Sequence, residues 1–380
     1  MQKSIKDGER SRRGETTALQ IKISGPASPV PKQWGKYIGN PQNKKNLCAF
    51  LGDTWCQTAQ KHLQRGQMIV LGGCFSDGER ALQVTKDGCE NVLHLRSDHE
   101  EADTRLLLHA KHAAETHNRI VIQSPDTDVV VLSVAHFQRL GCNELWFKTG
   151  VKDKSRFIPI HTLAAKFGSQ LCDSLLSLHA LTGCDSTSAL SGLGKKKAFT
   201  TLCASDAYQK SLCALGNSDM DQDVISGCEA FVCSLYTENM KAGSQADSVR
   251  YWMFCQKGHK NEELPPTSDS LHQHLERANF QCLVWRRALE RKQDLPSPEG
   301  HGWTLLDDGR LQPLLMKKEP APKGLLEIIA CHCQTSCRRS SCSCRTIGLS
   351  CTEACSCMAE DCHNVNTTQH KNDDDFLYDN

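Results

Sequence analysis

The sequence predicts an α/β domain with a mostly parallel sheet, followed by a helical region and a small cysteine-rich domain. Three observations lead to this division. A helical pattern from Glu101 is followed by the apolar segment Arg119–Gln123 and a further apolar run, Val129–Val134, as in a parallel sheet. Helical spacing of large apolar side chains continues over residues 200–295. Nine cysteines then lie between Cys331 and Cys362.

The composition is typical of globular domains. The chain has 380 residues, of which 39% are hydrophobic and 23% are charged, so we expect two or three domains. The formal net charge of +1 gives no indication of nucleic-acid binding, and any such surface has to be local. The polar N-terminus predicts no secretory signal, and no apolar run is long enough to predict a membrane-spanning helix. We therefore expect an intracellular protein.

Changes in composition along the chain predict its organisation. The predicted segments are a disordered stretch at 1–32, the α/β domain at 33–215, the helical region at 216–295, a proline-rich linker at 296–327, the cysteine domain at 328–366 and a disordered acidic tail at 367–380. In the helical region, the large apolar residues are predicted to form the core. They are Trp252, Phe254, Leu271, Leu275, Phe280 and Trp285.

The clustered cysteines have the spacing C-x-C-x3-C-x4-C-x-C-x6-C-x3-C-x-C-x4-C. An odd number cannot all form disulfides, and clustered cysteines in a reducing compartment indicate metal binding. Zn²⁺ takes four thiolates, so six terminal and three bridging sulfurs would hold about three structural zinc ions per chain. Arg338, Arg339 and Arg345 can offset the negative charge of that core. The predicted zinc ligands are Cys331, Cys333, Cys337, Cys342, Cys344, Cys351, Cys355, Cys357 and Cys362.

Residues 331–364, which end in Cys362-His363-Asn364, resemble the tesmin-type CXC domain. This resemblance implies zinc on all nine cysteines and DNA contacts from basic and aromatic loop residues. Ser341 stands where members that read DNA carry a tyrosine, so we expect phosphate contacts from Arg338 and Arg339 instead of sequence reading. DNA is therefore the predicted partner and the nucleus the predicted location. A role of the cluster in protein contacts remains the alternative.

Acidic residues occur where the pattern predicts strand ends and helix starts. If they meet at one edge of a parallel sheet, their like charges require a cation such as Mg²⁺ or Mn²⁺. Such ions can activate water for phosphodiester cleavage. Each residue also has a local interpretation, as part of a capping box with Asp98, as a turn residue or as a helix end. The candidates are Glu101, Asp103, Asp126, Asp128 and Asp185.

In chain order, these motifs resemble those of the 5′-nuclease branch of the PIN-like superfamily, the flap endonucleases and polymerase-associated 5′-exonucleases. The matching segments are Glu101-Ala102-Asp103, the D-x-D that follows Ile122, and Leu181–Asp185 with the later Gly192-Leu193-Gly194-Lys195. The resemblance implies that the five acidic residues bind catalytic metal ions. It also implies that Gly192, Gly194 and Lys195 hold a DNA phosphate. For the lysine run that begins at Lys195, a solvated helix face remains the alternative.

The combination of a nuclease-like domain, a helical block and a terminal CXC domain resembles proteins encoded by mobile elements. We therefore expect a divergent, magnesium- or manganese-dependent nuclease-like protein that acts on DNA and docks through its zinc domain. The family's opening strand with its terminal aspartate has no counterpart here, so whether the protein is an enzyme stays open. The alternative is a non-catalytic zinc-dependent DNA-binding or protein-interaction scaffold with a degenerate nuclease fold. The histidines at positions 99, 109, 112 and 117 are predicted to lie on a helix surface.

Overall fold

The computed structural model describes most of the chain in two compact units, Met1–Leu315 and Met316–Asn380. The described residues are 5, 19–217, 219–238, 244–256, 263–318, 330–334, 337–338, 342–346, 349–351, 355–357 and 362–364. The predicted acidic tail at 367–380 and most of the predicted disordered stretch before residue 19 lie outside these residues.

Two helices and an antiparallel sheet open the first unit. They are α1 (Trp34–Gly39), α2 (Pro41–Thr58), β1 (Met68–Gly72), β2 (Ala81–Thr85) and β3 (Cys89–Asn91), with the strands in the order β1-β2-β3. Asn40 begins α2 because its side chain accepts hydrogen bonds from the N–H groups of Gln42 and Asn43. Part of the stretch predicted to be disordered runs along this helix, where the Ile21 N–H donates to Asn43 Oδ1 at 2.7 Å.

A second sheet follows, alternating with helices. Its elements are α3 (Ala102–Ala114), β4 (Arg119–Gln123), α4 (Thr127–Leu140), β5 (Glu144–Thr149) and β6 (Arg156–Pro159). Strands β4 and β5 pair in parallel across α4, whereas β6 pairs antiparallel with β5. The described strands therefore do not form the mostly parallel sheet that the sequence predicted. The connection between Thr149 and Arg156 is too short for the crossover that a parallel strand requires. The apolar run Val129–Val134 lies in α4.

The remainder of the first unit is mostly helical, as predicted. It contains α5 (Ile160–Leu181), α6 (Lys195–Cys203), α7 (Asp206–Ala214), α8 (Gln222–Tyr236), α9 (Ala246–Cys255) and α10 (Ser268–Arg286), then the strands β7 (Trp303–Leu305) and β8 (Leu311–Pro313). Among the described residues, no helix combines the length and apolar character that a membrane crossing requires.

The helical region and the second sheet share one hydrophobic core. Leu107, Phe147, Leu176, Phe231 and Trp285 are all buried in it. The core predictions for Leu271, Leu275, Phe280 and Trp285 are confirmed by their burial. Those for Trp252 and Phe254 are wrong, because these side chains are 43% and 66% exposed on α9.

The first part of the segment predicted as a linker is folded onto α10. Trp303 in β7 is 2% exposed, and its ring lies 5.6 Å from that of Phe280. Arg277 of α10 donates to the carbonyl oxygens of Gly302 at 3.1 Å and Leu314 at 2.6 Å. Helix α10 thus contacts both the shared core and the β7–β8 hairpin.

Two glycines provide a test of how closely the loop before α8 approaches α10. Gly216 has φ +79°, and a Cβ there would lie 2.6 Å from the Cys282 carbonyl carbon. Gly141 has φ +85°, and a Cβ there would have no non-adjacent atom of the described residues within 4 Å. We expect Gly141→Ala to cost about 1 kcal/mol through backbone strain alone. Gly216→Ala should cost about 1–3 kcal/mol more, because α10 has to shift. Urea denaturation followed by circular dichroism measures both costs, and equal values would contradict the close approach.

Candidate functional site

The carboxyl end of β4 leads into an acidic cluster. Asp126 is the N-cap of α4, and its Oδ1 accepts the Asp128 N–H at 2.9 Å. Asp128 lies in the first turn of α4 and Asp103 in the first turn of α3. Asp185 follows the end of α5. The carboxyl end of a parallel strand next to helix starts is where α/β sheets bind ligands.

The charges of these residues act on one another. Burial raises the pKa of the Asp126 carboxyl, and the hydrogen bond from the Asp128 N–H lowers it. The charges of Asp128, Asp103 and Asp185 raise it further, so each of these three residues lies near enough to Asp126 for its charge to act on that carboxyl. Within the described part of the chain, however, these four carboxylates do not form a group of three or more whose ligand atoms all lie within 4.8 Å of one another. Their role as metal ligands therefore stays a prediction, and a shared ion would have to draw them closer.

Glu101 is held by helix α10. Its Oε1 accepts from Gln281 Nε2 at 3.3 Å and its Oε2 from Trp285 Nε1 at 3.2 Å. The capping-box interpretation is wrong, because α3 begins at Ala102 and Glu101 makes no side-chain cap bond. The proposed cap, Asp98, instead accepts the N–H of Gln293 at 3.1 Å. Both side chains therefore make long-range hydrogen bonds and not those of a capping box.

Asp128 is paired with a buried histidine. His179 Nε2 lies 2.7 Å from Asp128 Oδ1, and the two side chains are 8% and 10% exposed. The His179 ring centroid lies 5.7 Å from that of Trp285. This hydrogen bond fixes the orientation of the Asp128 carboxylate, since the histidine itself is packed against α10.

The glycine–lysine segment lies at the start of α6. Gly194 is the N-cap of this helix, and Gly192 has φ +70°. Lys195 Nζ donates to the carbonyl oxygens of His179 at 3.2 Å and Gly183 at 2.5 Å. Partial burial lowers the pKa of Lys195, while the nearby charge of Asp128 raises it. Its ammonium group thus binds carbonyl oxygens at the C-terminal end of α5, and phosphate binding by Gly192, Gly194 and Lys195 stays a prediction.

Sequence reasoning missed three side chains that support this cluster, those of His179, Gln281 and Trp285. Gln281 and Trp285 are separated from Glu101 by 180 and 184 residues, and His179 from Asp128 by 51. No periodicity or motif in a single sequence connects positions so far apart. The only signal was the large apolar Trp285, which indicates a core residue and not a hydrogen-bond donor to Glu101.

The second unit is a compact cluster of its nine cysteines. Seven are buried and Cys333 and Cys357 are partly buried. The Sγ atoms of Cys331 and Cys337 lie 3.7 Å apart, those of Cys342 and Cys351 3.8 Å, and those of Cys344 and Cys355 3.6 Å. Such distances exclude disulfides, whose S–S bond is about 2.05 Å. They agree with the separation of about 3.8 Å between two thiolates that share a tetrahedral zinc ion.

The sulfurs fall into three overlapping sets of four, which are Cys331, Cys333, Cys337 and Cys342; Cys331, Cys337, Cys351 and Cys357; and Cys331, Cys344, Cys351 and Cys355. Cys331 belongs to all three sets, and Cys337 and Cys351 to two each. Cys362 is in contact with Cys337 and Cys351. Shared members are what a cluster needs when nine ligands serve several tetrahedral ions.

Burial makes the cluster depend on positive charge. It raises the pKa of the Cys331 thiol to about 12, so thiolates form there only beside a cation. Backbone and amide donors assist, since the Arg345 N–H lowers the pKa of Cys342 to about 6 and Asn364 Nδ2 donates to Cys351 Sγ at 3.3 Å. The arrangement fits a zinc cluster.

The predictions on DNA contacts that involve Arg339 and Ser341 lie outside the described residues.

Comparison of the chain with protein-family models, with curated proteins and with solved structures finds no match in any of the three.

The shared sulfur of Cys331 provides a test of the cluster. We expect Cys331→Ser to lower the zinc content below about three ions per chain, because the Cys331 sulfur belongs to all three sets and is the strongest candidate for a bridging ligand. The exposed Cys255 lies outside the cluster, so Cys255→Ser is the matched control and should keep its zinc. Elemental analysis of the purified proteins measures the content. A Cys331→Ser protein with unchanged zinc would exclude the shared arrangement.

Proposed function

We propose that the protein is a divergent, divalent-metal-dependent nuclease-like protein that acts on DNA and docks through a zinc cluster of the CXC type. The observation that supports it most is the grouping of acidic side chains near the carboxyl end of β4, where Asp126 and Asp128 stand at the start of α4 and Asp103 at the start of α3. The pKa of the Asp126 carboxyl is raised by burial and by these neighbouring charges, as is typical of a site that binds a cation.

The oxygen-only ligand set favours Mg²⁺ or Mn²⁺ over softer metals. When bound, such ions activate water and stabilise the leaving oxygen of a phosphodiester. Asp103, Asp126, Asp128 and Asp185 would hold them. Gln281 and Trp285 would orient Glu101 toward the same site, and His179 would orient Asp128.

The positions of the motifs on the fold support a 5′-nuclease-like, PIN-like assignment. Glu101-Ala102-Asp103 stands at the start of α3, and the D-x-D joins β4 to α4. Asp185 follows α5, and Gly194 begins α6. Each acidic residue therefore stands at the end of an element, where the family needs its ligands. Lys195–Lys197 would supply positive charge for the DNA backbone.

The zinc unit would act as the docking element. The guanidinium group of Arg338 contacts the ring of His363, and it places a positive charge beside the cysteine cluster. Phosphate contacts from such residues give affinity without sequence reading. A nuclear location and an origin from a mobile element follow from DNA as substrate and from the combination of domains.

A second candidate, a non-catalytic DNA-binding or scaffold protein, is favoured by the hydrogen bonds that two of the carboxylates already make. Both oxygens of Glu101 accept protein hydrogen bonds, and Asp128 is paired with a buried histidine. In a degenerate nuclease fold, such contacts would replace the metal ions as the partners of the carboxylates.

The two candidates differ in DNA cleavage. We expect the wild type to cut branched or single-stranded DNA with Mn²⁺, and the Asp126→Asn/Asp128→Asn variant to lose about 100-fold or more in rate. Asn at position 126 can still cap α4, so the fold should remain. Asp206, exposed in the first turn of α7, gives the matched control Asp206→Asn.

Thermal unfolding with and without Mn²⁺ supplies a reading that does not depend on the substrate. Mn²⁺ should raise the midpoint of the wild type and of Asp206→Asn but not that of the double variant. Equal background cleavage and equal midpoints in all three proteins would reject the nuclease in favour of the second candidate.

DNA docking by the zinc unit predicts a salt dependence. Arg338→Gln should weaken binding to duplexes of different sequence by a similar factor, and should reduce the slope of log affinity against log salt by about 0.9. Fluorescence anisotropy with several labelled duplexes measures both. A zinc-loaded protein that binds no duplex at low salt would instead support a role of the cluster in protein contacts.

A further inference from the structure

We infer a second, chemically different zinc site in the first unit, formed by His94, His112 and Glu115. His94 belongs to the turn Leu93–Leu95 after β3, and His112 and Glu115 lie at the end of α3. The ligand atoms of the three side chains all lie within 4.8 Å of one another. The site is separate from the acidic cluster and from the cysteines, and it does not depend on the proposed function.

The distances fit a zinc ion with nitrogen and oxygen ligands. His94 Nε2 lies 2.9 Å from His112 Nδ1, which lies 3.4 Å from Glu115 Oε2. Bonds of about 2.0–2.1 Å to a tetrahedral ion place two ligand atoms about 3.3 Å apart. The imidazoles would therefore separate by only about 0.4 Å to admit the ion.

Hydrogen bonds among these three side chains satisfy their ligand atoms less well than a bound metal ion would. The Nδ1 atom of His112 faces both the His94 nitrogen and the Glu115 carboxylate. If Nδ1 carries a hydrogen, that single N–H has two acceptors to serve; if it does not, its lone pair faces a carboxylate. A cation at the common point attracts all three ligand atoms at once.

The two elements that carry the ligands are already fixed to each other. Val92 and Leu95, which flank His94, share a buried cluster with Leu108 of α3. On α3 itself, residues 112 and 115 are three apart and so share one face. The zinc site is therefore preorganised by packing, which lowers the cost of ordering its ligands.

The exposure of the group leaves room for a further ligand. The side chains of His112 and Glu115 are 20% and 62% exposed, so water can complete the coordination. His109, one turn earlier, does not join, because its Nε2 is buried against Gly72. The helix-surface prediction is wrong for the buried His99, whose Nε2 lies 2.6 Å from the Glu290 carbonyl oxygen. His117 is exposed, but it follows the end of α3 at Ala114 and so does not lie on the helix.

Zinc titration of the full-length chain tests the site. The protein is first saturated with zinc at the cysteine cluster, and calorimetry then measures further binding of Zn²⁺ alone. We expect one more ion per chain in the wild type, bound at least about tenfold more weakly by His94→Ala/His112→Ala. The exposed His117 gives the matched control, His117→Ala, which should bind as the wild type does.

Two results would overturn the inference. One is equal binding by the wild type and the double variant, which would leave only a proton-shared pair of histidines. The other is an equal loss in His117→Ala, which would indicate adventitious binding to surface histidines. If circular dichroism shows that the double variant is unfolded, Glu115→Gln keeps both imidazoles and should still weaken binding about tenfold.

Discussion

The buried side chain of Trp285 is the contact on which the candidate active region depends. It is 1% exposed, and its indole N–H donates to Glu101 at 3.2 Å. Its carbonyl oxygen accepts from His136 of α4 at 2.8 Å, and burial lowers the pKa of His136 to about 3, so that this imidazole is neutral. Its ring also packs against His179. One residue of α10 therefore contacts Glu101 before α3, His136 on α4 and His179 on α5. Truncation of its side chain would remove the hydrogen-bond donor to Glu101 Oε2 and the ring that packs against His179.

The acidic cluster opposes the stability that this packing provides. Like charges around Asp126 destabilise the fold at neutral pH, and partial burial adds to the cost. Lys195 donates to the carbonyl oxygen of His179, and His179 is itself paired with Asp128. Like charges that act on one partly buried carboxyl are typical of sites that bind a cation, and this is the basis of the function proposed above.

Local features could be predicted from the sequence, and long-range ones could not. The strand Arg119–Gln123 and the helix that follows Glu101 could be predicted from short apolar patterns, and the cysteine spacing indicates a metal cluster without knowledge of the fold. By contrast, Val129–Val134 is too short and apolar to distinguish a strand from the helix it forms. Contacts of α10 with Glu101 depend on how helices pack across 180 or more residues, which periodicity does not record. The same holds for His94 and His112, which are brought together only by the seating of a turn on α3.

The three groups of ligands differ in chemistry, and this difference decides which metal each can hold. The thiolates of the second unit suit zinc because they are soft ligands, and imidazoles with a carboxylate suit zinc or a similar ion. Zinc also exceeds manganese in affinity for most sites with oxygen ligands. In the proposed function, selectivity at Asp103, Asp126, Asp128 and Asp185 would rest on the absence of nitrogen and sulfur among these side chains and on the larger coordination number that Mg²⁺ and Mn²⁺ accept. The hydrogen bond between His179 Nε2 and Asp128 Oδ1 would keep this imidazole out of such a ligand set.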